Sequence, residues 1–199
     1  MELKFQYNKI SIQTLQKQLK IRQAALPTLK SKETYLRISI KKERYRLDEQ
    51  RSELAELRGD IGESEQLFSE YPTDSLRVTD VEYGSENIAG ITIPSLEEIS
   101  FVETGGSLAQ RPAWLPWGWK VAKNLIRIIT EIDVTKLRIE LLELARKKTT
   151  QKVNLYEKVQ IPQFSNAILK IKRYLEDMEN LDKAAQKITK ARQIEAFSR

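Results

Sequence analysis

Apolar residues recur along the first third of the chain at alternating steps of three and four. Starting at Ile12, the series runs Leu15, Leu19, Arg22, Leu26, Leu29, Glu33, Leu36, Ile40, Glu43, Leu47, Gln50, Leu54, Leu57 and Ile61. Eleven of these fifteen positions are apolar, and the residues between them are mostly Lys, Arg, Gln, Glu and Ser. A mean spacing of 3.5 sustained over seven heptads predicts a coiled-coil helix with a left-handed supercoil. Fifty residues at about 1.5 Å each make a helix of about 75 Å. Pro27 falls inside the series and lacks the N–H that a helix interior needs, so a bend or local break is expected there. The polar positions Arg22, Glu33, Glu43 and Gln50 weaken an apolar seam but can fix its register.

The last third answers with its own seam. Val121, Leu125, Ile128, Ile132, Thr135, Ile139 and Leu142 form one stretch. Ile161, Phe164, Ile168, Ile171, Leu175, Met178, Asp182 and Ala185 form a second, out of phase with the first. The slip falls between Arg146 and Pro162. Long isolated helices are marginal until their apolar stripe is covered. Two such arms of one chain can cover each other, which predicts an intramolecular antiparallel coiled coil with both termini at one end.

The middle follows a different pattern. Residues 67–72 are expected to end the first helix. Residues 76–83 are rich in β-formers, 84–87 (Gly-Ser-Glu-Asn) read as a turn, and 88–93 read as a second strand closed by Pro94. Residues 99–102 are a candidate third strand. The stretch from Gly105-Gly106 to Gly118 reads as a loop containing Trp114, Trp117 and Trp119. Three tryptophans so close read either as a membrane-interface belt or as hydrophobic anchors against the helix start or a partner, the second being preferred. The fold expected is mainly α: an N-terminal coiled-coil helix (1–68), a middle region with a β-hairpin (69–118) and a C-terminal coiled-coil helix (119–199).

Composition sharpens this division. All seven glycines lie between Gly59 and Gly118, so residues 1–58 and 119–199 are free of glycine. The net charge of +6 hides a partition. Residues 1–58 carry fourteen basic and seven acidic side chains, and 119–199 carry eighteen and ten. Residues 59–118 carry two basic and eleven acidic. Basic arms around an acidic middle imply different docking partners for the two. Cysteine and histidine are absent, which removes thiol nucleophiles, disulfides, imidazole acid–base pairs and Cys/His zinc sites. No Gly-x-x-x-x-Gly-Lys or Gly-x-Gly-x-x-Gly loop occurs, and Gly105-Gly106-Ser107 lacks the lysine that would follow in a phosphate loop. Adjacent Glu97 and Glu98 would face opposite sides of a strand. The basic stretches Lys41-Lys42-x-Arg44-x-Arg46 and Arg146-Lys147-Lys148 read as solvated helix faces, because acids interleave and no aromatic platform accompanies them. No catalytic, cofactor or metal residue is expected. No apolar run reaches the ~18–20 residues of a membrane span and no signal peptide is seen, which reads as a soluble, cytoplasmic chain.

Three segments carry a resemblance. Residues 8–36 include Leu15-x-x-x-Leu19-Lys20 and Leu29-Lys30-x-Lys32-x-x-x-Leu36. The second segment is Asn87-Ile88-Ala89-Gly90-Ile91-x-Ile93-Pro94. The third is Val153-Asn154-x-x-Glu157-x-Val159-x-Ile161-Pro162. In order and spacing they resemble the D subunits of the V-type (A/V-type) rotary ATPases. The motif positions singled out are Lys30, Lys32, Asn87, Gly90, Pro94, Asn154, Glu157 and Pro162. The resemblance implies a central rotor shaft, without catalysis of its own, standing inside a ring of A and B subunits. It also implies the F subunit and a C/d-type socket subunit as partners of the middle region, no nucleic acid, and membrane contact only through the complex. The shaft would couple ATP hydrolysis or synthesis to H⁺ or Na⁺ movement. The competing readings are a coiled-coil adaptor or tether and, less favoured, a basic nucleic-acid-binding hairpin.

Overall fold

The computed structural model describes residues 5–63, 70–104 and 112–197. Helix α1 (Lys9–Glu63) is followed by a short 3₁₀ turn (Thr73–Ser75) and strands β1 (Leu76–Ile88) and β2 (Ile91–Glu103). Helix α2 (Leu115–Asn154), a π-helical segment (Leu155–Gln160) and helix α3 (Ile161–Phe197) complete the chain. The fold is mainly helical, with one two-stranded antiparallel sheet. Two compact units result: residues 1–31 with 149–199, and residues 32–148.

α1 starts where Asn8 Oδ1 accepts the Ser11 N–H at 2.7 Å, an N-cap that satisfies one orphan donor. The helix then runs to Glu63 without a break at Pro27. All fifteen seam positions from Ile12 to Ile61 are buried or half-buried.

In the 1–31/149–199 unit, Leu15 packs with Phe164, Ala167, Ile168 and Ile171, flanked by Phe5, Ile12, Leu19 and Leu175. The phase slip is resolved inside this unit. Continuing the first C-terminal seam by threes and fours gives Thr149, Val153, Tyr156 and Gln160, each buried or half-buried. The next seam residues are Ile161, Phe164, Ile168 and Ile171, one position later than that series. The π-helical segment absorbs the extra residue, and the Ile161 N–H donates to the Tyr156 carbonyl five residues back. Pro162 follows directly, where no N–H is available to resume the ladder. The second stretch is covered only as far as Leu175. Met178, Asp182 and Ala185, expected in the seam, are exposed, and so is every residue from 176 to 193. α1 begins only at Lys9, and the residues facing α3 there, Phe5, Tyr7 and Ile12, reach no farther than Tyr174 and Leu175.

In the 32–148 unit, Leu47, Ile128, Ile132 and Ile139 form one apolar cluster, with Leu54 and Leu57 against it. Leu36, Ile40, Ile93 and Leu142 form another, which receives the hairpin.

The hairpin is longer than expected and turns elsewhere. Gly84 lies within β1, paired with Ser95, and the chain reverses at Ala89-Gly90 between Ile88 and Ile91. The Glu97 carboxylate from β2 lies over Gly84, in the space a Cβ there would take. Pro94 does not close the strand but pairs with Ser85 inside β2. A two-stranded sheet has only edge strands, and those tolerate proline. Residues 99–102 are the far half of β2, paired with 77–81, rather than a third strand.

α2 begins at Leu115, so Trp117, Gly118 and Trp119 are helical instead of part of a loop. Pro116 sits in the first turn, where its missing N–H has no intrahelical acceptor to lose. Trp119 is buried and its Nε1–H donates to Ser75 Oγ at 3.1 Å, which ties the helix start to the turn before β1. Trp114 packs near Tyr71, and both rings close over Gly118. Trp117 is 45% exposed. The expected end of the first helix at 67–69 and the Gly105-Gly106-Ser107 triplet lie outside the described residues.

Candidate functional site

Among the described residues, the seat of the hairpin on α1 and α2 gathers a dense set of polar contacts. It starts with the turn. Ala89 has φ +53° and Gly90 φ +77°, so both residues of the two-residue loop are left-handed, as a type I′ reversal requires. Gly90 adopts that conformation freely, while Ala89 is strained by about 1 kcal/mol. The Gly90 N–H donates to Asn87 Oδ1 at 2.9 Å, which holds the turn closed. The tight reversal presents Ile88, Ala89, Ile91 and Ile93 to Leu36, Ile40 and Leu142. Ile93, Leu36 and Leu142 are fully buried.

Above this apolar seat lies Arg138. Its guanidinium donates to Glu43 through Nε (3.1 Å) and Nη2 (2.9 Å). Nη2 also reaches Glu86 at 2.8 Å, and Nη1 donates to the Pro94 carbonyl at 3.0 Å. One side chain of α2 is thus bound to α1, β1 and β2. Arg138 and Glu43 are both buried, whereas the Glu86 side chain is 53% exposed. Burial opposes the charge on Arg138, but the hydrogen bonds and charges of Glu43 and Glu86 outweigh it and raise its pKa above the ordinary arginine value. The guanidinium therefore stays charged at every working pH.

The other polar seam positions are paired too. Gln50 Oε1 accepts the Thr135 hydroxyl at 3.0 Å, and Gln50 Nε2 donates to Glu131 at 3.3 Å. Glu33 lies 4.0 Å from Arg146 and also takes Arg37 at 2.9 Å. In the other unit, Arg22 donates to Gln160 at 2.6 Å and stacks over Phe164 at 4.5 Å. Each polar break in the α1 seam therefore meets a defined partner on the returning helices.

The motif positions divide between the two units. Asn87, Gly90 and Pro94 build the hairpin seat, and the Lys32 ammonium lies near Gly90. Lys30 forms an ion pair with Glu157 at 2.6 Å, in the 1–31/149–199 unit. Asn154 and Pro162 flank the π-helical segment. The coiled-coil seam positions Leu15, Leu36, Ile40, Leu47, Ile128, Ile132, Ile139, Phe164, Ile168 and Ile171 are buried, and Leu19, Leu29, Leu54 and Leu175 are half-buried. Sequence reasoning missed Arg138. It sits off the seam, on a second stripe with Val134, Leu141 and Ala145, and that three-and-four spacing was the signal available. Glu86 read as part of a turn and so went unnoticed.

Among the described residues, no group of three or more Asp, Glu, His or Cys is placed to hold a metal, and no helix is long and apolar enough to cross a membrane. The basic stretch near Lys41 is interleaved with acids in space as in sequence, since Arg44 pairs with Glu143. Lys41 lies over the Tyr45 ring.

Fold and seat define a class: a helical coiled-coil protein carrying one docked β-hairpin between its two arms. The family profile of the ATP synthase D subunit matches residues 11–191. The chain belongs to that family. It is 33% identical over 190 residues to the V-type ATP synthase D subunit of Borreliella burgdorferi, covering 94% of each chain. The V-type D subunit of Chlamydia pneumoniae is 29% identical over 116 residues, 58% of this chain and 56% of the relative. That of Chlamydia felis is 26% identical over 170 residues, 83% and 82% of the two.

Proposed function

We propose that the chain is the central rotor shaft of a V-type ATPase or ATP synthase and has no catalytic activity of its own. The observation that carries this reading is the match to the D-subunit family across nearly the whole chain, on a fold of two long arms. The arms would stand inside the ring of A and B subunits, where nucleotide chemistry takes place. The hairpin-bearing middle would meet the F subunit and the C/d-type socket subunit. Rotation would link ATP hydrolysis or synthesis to ion movement through a membrane ring, with the shaft peripheral to the membrane.

The physical features suit torque. Polar pairs along the seam, Arg22–Gln160, Glu43–Arg138 and Gln50–Thr135, resist sliding of one helix along the other within each unit. Apolar side chains past Leu175 on α3 (Met178, Leu181, Ile188) are exposed and would be open to a partner subunit. Affinity-tagged chain expressed with the other ATPase subunits is expected to bring down A and B. Recovery of the tagged chain without A and B would defeat this reading.

A further inference from the structure

The hairpin is held by two kinds of contact that do different work. Ile88, Ala89, Ile91 and Ile93 rest on Leu36, Ile40 and Leu142. Such contact is strong but non-directional. A helix surface also repeats its ridges and grooves every three to four residues, so apolar knobs find similar holes at neighbouring positions. Apolar burial alone therefore keeps the hairpin on the helix pair without choosing one position for it.

Arg138 supplies the missing direction. Its planar fork meets the Glu43 carboxylate on α1, the Glu86 carboxylate on β1 and the Pro94 carbonyl on β2, all between 2.8 and 3.1 Å. Moving the hairpin by one residue along the helices would break the bonds to Glu86 and Pro94 together and leave a buried cation half-satisfied. The two arms of the joint also differ in strength. The Glu43 arm is buried on both sides, and the Glu86 arm is half open to solvent and ions. We propose that Arg138 is a positioning residue that sets the single register of the hairpin on the helix pair, with Glu43 as its fixed anchor and Glu86 as its salt-sensitive arm. This concerns the isolated chain and stands apart from the rotor reading.

The chain contains no cysteine, so introduced pairs can be labelled without background. Spin labels on Thr92→Cys and Glu140→Cys, both exposed, would report the hairpin against α2 by pulsed electron resonance. The parent should give one narrow distance distribution. Glu43→Leu/Arg138→Met replaces the buried pair by apolar side chains and should fold, yet widen the distribution about twofold as the hairpin samples several positions. Arg138→Lys retains charge but not the fork, and should also widen it. Glu86→Gln, which removes a half-exposed charge and leaves the core intact, should widen it less and abolish its broadening with added salt. A distribution as narrow as the parent's in the folded double variant would overturn the proposal. If the double variant does not fold, an unchanged width and salt response in Glu86→Gln overturns it instead.

Discussion

At the scale of single residues, the turn at Ala89-Gly90 illustrates how little material a defined reversal requires. Gly90 has φ +77°, and the nearest atom to the place a Cβ would occupy, Lys32 Nζ, is 3.8 Å away. Gly90→Ala should therefore meet no clash and still destabilise by about 1 kcal/mol through backbone strain, read by urea unfolding. Asn87→Ala should cost about 0.5–1.5 kcal/mol by removing the acceptor for the Gly90 N–H. Core truncation is a larger effect. Leu142→Ala removes a fully buried side chain from the hairpin seat and should cost about 2–5 kcal/mol. The titration of Arg138 makes a different prediction. Its folded pKa is raised, so its contribution is fully present below the unfolded value and is lost only as pH rises through the folded one. Both lie in the strongly alkaline range, so unfolding midpoints of Arg138→Lys and the parent should differ by a constant amount between pH 6 and 9.

At the scale of elements, the π-helical segment explains a mismatch that the sequence displays openly. The two C-terminal seams are out by one residue, and one residue is what Leu155–Gln160 takes up. A single residue rotates everything after it by about 100° on a helix. Deleting Lys158, with Pro162→Ala to restore the missing N–H, should let an unbroken α-helix keep Ile161, Phe164, Ile168 and Ile171 on the covered face. Helicity by circular dichroism should hold, and stability should change by less than about 1 kcal/mol. Inserting an alanine after Gln160 should instead turn those four residues off the face and cost several times that amount. The heptads of α1 were legible because period alone fixes which side chains share a stripe, and all fifteen positions from Ile12 to Ile61 are covered. The hairpin was half legible. Its strands announced themselves through Val, Ile and Tyr, but Gly84 looked like a turn residue. In the fold it pairs with Ser95 inside β1 and lies under the Glu97 side chain from β2, a contact between residues 13 apart that no local pattern carries.

At the scale of the whole molecule, residues 176–193 of α3 are left exposed among the described residues. Amides in 176–193 should exchange with solvent much faster than those in 164–175 in the isolated chain, and should gain protection when A and B subunits are present. Removing the residues after Leu175 should leave the unfolding free energy of the rest within about 0.5 kcal/mol, because no side chain from 176 to 193 is buried. The sequence by itself determined the helical arms, their apolar faces, the position of the phase slip and the acidic middle, since these follow from period, breakers and charge along one chain. Family membership was legible there as well, in short motifs whose order and spacing resemble those of the family. The tertiary structure alone decided the role of Arg138, the seat of Ile93, the anchoring of Trp119 by Ser75 and the point where the second seam loses its partner. Each of these depends on which distant residues meet, and on whether burial leaves a charge paired, and neither is written in the spacing of a single strand or helix.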